Sequence, residues 1–319
     1  MTTRRTFLAA SLASGLAATL PQRLAAADPL SVVATTGMIA DAARRIGGDL
    51  VTVSALMGPG VDPHAFRQTR SDVLAMTRAD LVLWHGLYLE AQMEDFLIEL
   101  GKRRSVVAVA EGLPRDRLIG HDDYADRRDP HVWMDPALWA LVLERIRAAL
   151  TETAPEHADA FADAAAGYTQ EVLALLDYTR ETLATVPKAK RVLLTAHDAF
   201  NYFGTAYGFD VVGIQGISTE SEAGLARIEE LVGLLVERDI RAVFVESSVS
   251  DRNVRALIEG AAARGHEVAI GGELFSDAMG AAGTYEGTYI GMIDHNATTI
   301  ARALGGRAPE RGMAGRLSL

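Results

Sequence analysis

Short apolar runs alternate along this chain with longer stretches in which apolar residues return every three or four positions. In the first half, Ser31 to Thr35, Leu50 to Met57, Leu81 to Trp84 and Ser105 to Ala110 read as buried strands. Between them, Met38 to Ile46 predicts a helix stopped by Gly47-Gly48, and Ser71 predicts the cap of a helix through Arg78. Tyr88 to Leu100 places Leu89, Met93, Phe96, Leu97 and Leu100 on one helical face, with Gly101 as the stop. A polar segment from Pro114 to Arg128 reads as a loop, and Pro136 opens a helix to about Glu152.

The second half repeats the alternation. Arg191 to Ala196, Phe209 to Gly213, Ala242 to Glu246 and Glu267 to Ile270 predict strands. Helices are predicted to begin at His197, after a Thr219/Glu222 capping box, at Asp251 and at about Tyr289. The stretch from Glu156 to Val186 has no strand on either side. Phe161, Tyr168, Val172, Leu175, Leu176, Thr179 and Leu183 recur there at spacings of three, four and seven, up to Pro187. That is one amphipathic helix of roughly 45 Å at about 1.5 Å per residue, longer than a small domain needs. Gly167 inside it predicts a close packing contact or a bend. The fold class is α/β: two parallel-sheet (β/α)4-type lobes, at 28–155 and 188–319, joined by a rigid helix at 156–187.

Composition changes the picture at the ends. Residues 1–27 contain Arg4-Arg5-Thr6-Phe7-Leu8, a weakly apolar run from Ala9 to Leu20, and Leu24-Ala25-Ala26-Ala27 before Asp28. This reads as a twin-arginine export signal cleaved near Ala27, which places the mature protein in the periplasm. The apolar run is too short and too rich in Ala, Ser and Gly to span a bilayer, so no direct membrane insertion is expected. The formal net charge is −11, and removing Arg4, Arg5 and Arg23 lowers it by three to −14. That argues against nucleic acid or an anionic membrane surface as partner. The chain has no cysteine, which argues against a lipid anchor and leaves core burial to hold an exported fold together.

The candidate chemistry begins with a repeated tripeptide. Asp129-Pro130-His131 and Asp62-Pro63-His64 each place a histidine on a loop stiffened by proline. Asp-Pro is also ordinary turn chemistry, so one copy alone would mean little. Ligands of parallel α/β sheets sit at the carboxyl ends of strands. His197 directly follows one predicted strand, Asp277 follows the last one through Gly271-Gly272, and His64 and His131 follow the second and fourth. Each half thus offers two candidates where the lobes would meet across a cleft. Three imidazoles and a carboxylate suit a divalent transition metal.

The chain also resembles the periplasmic solute-binding proteins of zinc and manganese ABC importers, the TroA/ZnuA-like group, along essentially all of its mature length. The matching stretches are Val61-Asp62-Pro63-His64, Asp129-Pro130-His131-Val132-Trp133, Thr195-Ala196-His197-Asp198-Ala199-Phe200 and Gly272-Glu273-Leu274-Phe275-Ser276-Asp277. The resemblance implies that His64, His131, His197 and Asp277 are the metal ligands. It also implies an inner-membrane ABC permease as partner, a monomer, and no enzymatic activity. Zinc-dedicated members carry a histidine-rich loop before the second ligand; here 116–129 holds only His121. Many manganese-dedicated members have glutamate at the third ligand position, where this chain has His197. Three nitrogens and one carboxylate favour zinc, with manganese as the alternative.

Glu246, at the end of a predicted strand, is the acid best placed to orient a ligand imidazole; capping the helix near Asp251 is its other reading. His85 is a second candidate for supporting the ligands. His121 reads as a solvated loop residue, with auxiliary metal capture as its other reading; His157 and His266 read as surface residues, and His295 as a packing or capping residue. Two other functions remain to be weighed. A zinc hydrolase would keep an open coordination position, whereas four protein ligands close it. A siderophore or cobalamin binder would need an open cleft lined with aromatics or arginines.

Overall fold

The computed structural model describes residues 28–121 and 126–318. The export segment read at 1–27 and part of the polar loop before His131 lie outside them. Strands β1 (Leu30–Ala34), β2 (Val51–Ala55), β3 (Leu81–Trp84) and β4 (Val106–Ala108) form one parallel sheet in the order β2-β1-β3-β4. Val32 lies opposite Val53 on one side and Leu81 on the other. Helices α1 (Gly37–Gly47), α2 (Arg70–Arg78), α3 (Glu94–Gly101) and α4 (Pro136–Thr153) complete this half. Asp135 accepts from the Ala137 amide and Pro136 opens α4, so both its start signals are used.

Helix α5 (Ala158–Ala184) is the long connector, at 27 residues about 40 Å. It packs on α1 and α4 on one side. The second half follows, with β5 (Val192–Thr195), α6 (Asn201–Tyr207), β6 (Asp210–Gly213), α7 (Leu225–Glu237), β7 (Ala242–Glu246), α8 (Arg252–Ala263), β8 (Ala269–Leu274) and α9 (Tyr289–Ala303). Helix α5 also packs on α9, so one apolar core runs from Val32 and Trp133 through Phe161 and Leu175 to Ile293. Trp139 and Tyr289 stack within that core, ring centroids 5.2 Å apart. Among the described residues no helix is long and apolar enough to cross a membrane.

Several local expectations are corrected. The second-half strands pair two and two, β5 with β6 and β7 with β8; β5 and β7 run side by side without a shared ladder. Helix α3 begins at Glu94, not Tyr88, because Gly86, Leu87 and Tyr88 have φ of 84°, 53° and 68°. A right-handed helix cannot include three left-handed residues. Helix α2 is capped by Thr69 and Asp72 in a reciprocal capping box, two residues ahead of the expectation at Ser71. His197 stays on a loop, since α6 starts at Asn201. Helix α7 starts at Leu225 after Gly224, with no side-chain cap, and Thr219 is engaged elsewhere. Strand β8 runs through Gly271 and Gly272 to Leu274. A Cβ on Gly271 would lie 2.8 Å from the Phe244 ring, so glycine is what lets β8 approach β7. A Cβ on Gly167 would meet nothing, which removes the expected packing contact there.

Candidate metal centre

Both Asp-Pro-His loops fold by the same local rule. In each, the aspartate accepts from the histidine amide two residues on: Asp62 Oδ1 from His64 N at 2.8 Å, Asp129 Oδ1 from His131 N at 2.9 Å. The intervening proline has no N–H to compete for the turn. Beyond this the loops differ. Asp129 Oδ1 also takes the His131 ring Nδ1 at 2.7 Å, and its Oδ2 accepts from Asn201 Nδ2 at 3.1 Å. Asp62 Oδ2 instead accepts from the Thr219 hydroxyl of the other half, at 2.5 Å.

His197, on the loop after β5, is held from β7. Glu246 Oε1 accepts from the His197 amide at 2.9 Å and Oε2 from its ring Nδ1 at 2.5 Å. The glutamate thereby bridges the seam where β5 and β7 share no ladder. Asp277 follows β8, and the carbonyl of Ser276 accepts from Trp133 Nε1 at 2.8 Å. Trp133 lies two residues after His131, and its own carbonyl accepts from the Tyr289 hydroxyl at 2.8 Å. Ligand loops from the two halves are thus tied to each other.

The structure brings His64, His131, His197 and Asp277 together, with one donor atom from each within 4.8 Å of all the others. His131 and His197 are 0% exposed, His64 and Asp277 2%. The His64 and His131 Nε2 atoms are 3.3 Å apart, and Asp277 lies 3.3 Å from His131 Nε2 and 3.2 Å from His197 Nε2. The two Asp277 distances run from different carboxylate oxygens, Oδ1 to His131 and Oδ2 to His197, so the carboxylate faces both imidazoles at once. His197 Nε2 and both Asp277 carboxylate oxygens are buried without a hydrogen-bond partner. Such orphans are costly unless an ion satisfies them; the donor set fits one divalent cation.

The electrostatics sort the imidazoles. Burial would pull the His131 imidazolium down, but Asp129 and Asp277 outweigh it and raise the group to about 9. His197, buried between Asp277 and Glu246, is raised well above its ordinary value by the same balance. Burial raises Asp277, but His197 and His131 hold it well below the usual carboxylate range. His64 is pushed down to about 3 by burial and by the two neighbouring imidazoles. Among the described residues no carboxylate hydrogen-bonds its ring.

The remaining histidines are placed as follows. His85 is buried and touches no candidate ligand by hydrogen bond. Its Nε2 donates to the Pro130 carbonyl at 2.7 Å, bracing the loop that presents His131, and its ring meets Trp133 edge-on at 5.0 Å. His266 is buried and donates to the Ile240 carbonyl at 2.7 Å, and His121 is 7% exposed, so neither is the surface residue expected. His295 bonds the Glu273 carbonyl at 2.9 Å and packs on Phe275. Sequence reasoning missed Asp129, although an acid two residues before a ligand-type histidine was a readable signal. It also missed Glu90, whose buried carboxyl accepts from Thr35 Oγ1, His85 N and Gly86 N and holds the left-handed turn. Burial raises Glu90 to about 7.

Fold and site together define an α/β binding protein assembled around one buried cluster of metal-type donors. The chain belongs to the family described as "Zinc-uptake complex component A periplasmic" (ZnuA), whose model matches residues 32–303; that description is of an uptake component, not an enzyme. It is 49% identical over 275 residues to the manganese-binding lipoprotein MntA of Bacillus subtilis, covering 86% of this chain and 90% of that protein. It is 44% identical over 298 residues to the zinc-binding protein TroA of Treponema pallidum, covering 93% and 96%. The solved structure of the periplasmic zinc-binding protein TroA superposes with a TM-score of 0.85 at 45% identity, covering 88% of this chain and 100% of that one.

Proposed function

We propose that this protein captures a divalent transition metal outside the cytoplasm and delivers it to the membrane permease of an ABC importer. The carrying observation is the convergence of three imidazoles and one carboxylate, buried and mutually within 4.8 Å. The ligands are His64 Nε2, His131 Nε2, His197 Nε2 and Asp277. Asp129 and Glu246 fix the tautomer and orientation of two of them, which raises imidazole basicity toward the ion. Four protein donors leave no open position for a reactant water, which disfavours hydrolysis. The donors are too enclosed for a siderophore or cobalamin.

The cargo is zinc or manganese, the two metals named in the relatives TroA and MntA. Nitrogen-rich tetrahedral ligation supports zinc, while a bidentate Asp277 would give manganese more oxygen. The chain is exported by its twin-arginine segment, cleaved near Ala27, and acts as a periplasmic monomer of two lobes, 28–155 and 188–319, on the 156–187 helix. That helix packs on both halves, so release proceeds by small loop and lobe shifts rather than a wide hinge.

The test is metal analysis of protein purified from its native compartment, with competitive zinc and manganese titrations of the metal-free protein. One ion per chain is expected, and bound metal should raise the melting temperature. His64→Ala and Asp277→Ala should each weaken binding on the order of a hundredfold or more, since each opens a closed four-donor site. Wild-type affinity in both variants would end the ligand assignment.

A further inference from the structure

A second cavity, of about 340 Å³, lies where α1, α5, the approach to α9 and the 313–316 segment meet, with none of the four candidate ligands in its wall. Its volume falls in the lower part of the range of small-molecule sites. Asp41 and Arg45 come from the first half, Tyr168 and Glu171 from the connector, Tyr285 and Arg316 from the second half. An occupant would therefore touch all three parts of the molecule.

The wall is held in place by its own hydrogen bonds. The Tyr168 hydroxyl donates to Asp41 Oδ2 at 2.9 Å, and the Tyr289 amide donates to the same oxygen at 3.1 Å. The Tyr285 hydroxyl donates to Asp294 Oδ2 at 3.1 Å. The 313–318 segment is tied down beside it: the Met313 amide donates to Asp294 Oδ2 at 2.9 Å, and the Ser318 amide and hydroxyl each donate to Glu286 Oε1 at 2.7 Å. The two tyrosines are thus nearly buried, 3% and 8% exposed, and their hydroxyl protons are already spent.

Each tyrosine ring carries an arginine. The Arg45 guanidinium lies 4.7 Å from the Tyr168 centroid, and that of Arg316 4.8 Å from the Tyr285 centroid. The placement is the same and the electrostatics differ. Arg45 is neutralised by Glu171. Arg316 has its ring contact, and among the described residues no carboxylate pairs with it. A guanidinium held over an aromatic face with its fork unpaired matches a carboxylate in shape and charge. Ala174, Ile290 and Met313 add apolar wall, and Met313 is left 39% exposed. Asp41 and Glu171 in the same wall disfavour a second negative charge.

We propose that this cavity binds a small monocarboxylate with an apolar body, its carboxylate on Arg316 and its body against Ile290, Met313 and the tyrosine rims. Binding would hold the first half, the connector and the second half together, and so stabilise the folded chain by mass action. The inference goes beyond the metal-carrier reading and does not rest on it.

The experiment follows the fluorine resonance of para-fluorobenzoate on titration with the full-length protein, metal-free and zinc-loaded, with para-fluorobenzamide as the uncharged analogue. Saturable binding of one molecule per chain is expected, with Kd on the order of 1 mM for so small a ligand. The benzamide should bind at least about tenfold more weakly, as should the benzoate to Arg316→Gln, since each loses the charge-assisted pair. Arg316→Lys, which keeps the charge without the fork, should fall between them. Ala174→Leu, a change at an exposed position of α5, should block binding by filling the cavity while the melting temperature of the unliganded protein holds. Zinc loading should leave the affinity within about twofold, as for sites that share no residue. Absence of saturable binding overturns the proposal, as does wild-type affinity in both Arg316→Gln and Ala174→Leu. Competition by zinc would move the probe to the metal centre and overturn it too, and displacement by inorganic phosphate as readily as by unlabelled benzoate would overturn the monocarboxylate class. None of these failures touches the metal-carrier reading, which stands or falls on metal binding.

Discussion

The two Asp-Pro-His loops carry the same tripeptide and do different work. The loop of Asp129 closes on itself: one carboxylate oxygen takes both the amide and the ring of His131. The loop of Asp62 spends one oxygen on the His64 amide and sends the other across to Thr219. In the first, the carboxylate that fixes the ring belongs to the loop itself, which Asn201, Tyr202 and His85 brace further. The second builds a ligand whose place depends on the far half of the molecule. The same local chemistry, set in two surroundings, yields one fixed arm and one conditional arm around a single ion.

The largest way to break this contrast is to unlock the fixed arms. Asp129→Ala and Glu246→Ala should each lower metal affinity about 10- to 100-fold, the usual cost of losing the group that orients a ligand imidazole. Glu246→Ala should also destabilise the metal-free protein by about 3 kcal/mol or more, because it strands a buried imidazolium and opens the β5–β7 seam. Calorimetric titration and urea denaturation read the two effects separately. Equal affinity for wild type and Glu246→Ala would mean that the buried carboxylate does not act on the ion.

A second, intermediate effect sharpens the contrast through pH. In metal-free protein near neutrality His131, raised to about 9, and His197, raised well above its ordinary value, carry protons, whereas His64, at about 3, does not. An incoming ion must displace protons from the two fixed arms and none from the conditional one. Binding near pH 7 should release close to two protons per ion, and affinity should climb steeply with pH until those imidazoles titrate. The folded value of His131 lies above the ordinary 6.5. Its protonation therefore stabilises the metal-free fold fully below about pH 6.5, and that contribution is lost as pH rises through about 9. Melting temperatures should show this decline for metal-free protein and not for zinc-loaded protein. Titrations in buffers of different ionisation enthalpy that find no released proton would refute the assignment.

How much of this was legible in the sequence follows from the range of each interaction. Strands such as Leu81–Trp84 and Ala242–Glu246 are short apolar runs whose bounds the pattern gave directly. The long helix was readable because its apolar stripe persists over many turns, and its buried face is the one predicted. The four converging side chains were readable as strand-end residues and family motifs. What stayed hidden depends on distant partners. Thr219 fits the spacing of a helix cap, yet Asp62, 157 positions away, claims its hydroxyl. Tyr88 was read into a helix because the apolar spacing from Leu89 onward is helical, while the Glu90 carboxyl holds a turn at His85 and Gly86 and Tyr88 itself is left-handed. The split second sheet was invisible because strand pattern does not reveal which edges pair.

The smallest expected effect is a control on the connector, which carries neither loop. Gly167 lies within α5 with open space where a Cβ would go. Gly167→Ala should therefore stabilise the protein by about 0.5–1 kcal/mol through helix propensity. Metal affinity and release rate should not change. A loss of affinity in this variant would show that the connector bends at Gly167 during loading.

The central claim, that four side chains from both halves meet on one ion, is tested most directly by anomalous diffraction at the zinc edge from crystals of zinc-loaded protein. The account predicts one dominant peak bonded to Nε2 of His64, His131 and His197 and to the Asp277 carboxylate, at about 2.0–2.2 Å. A peak elsewhere, or one with fewer than three of these donors in bonding range, would contradict it.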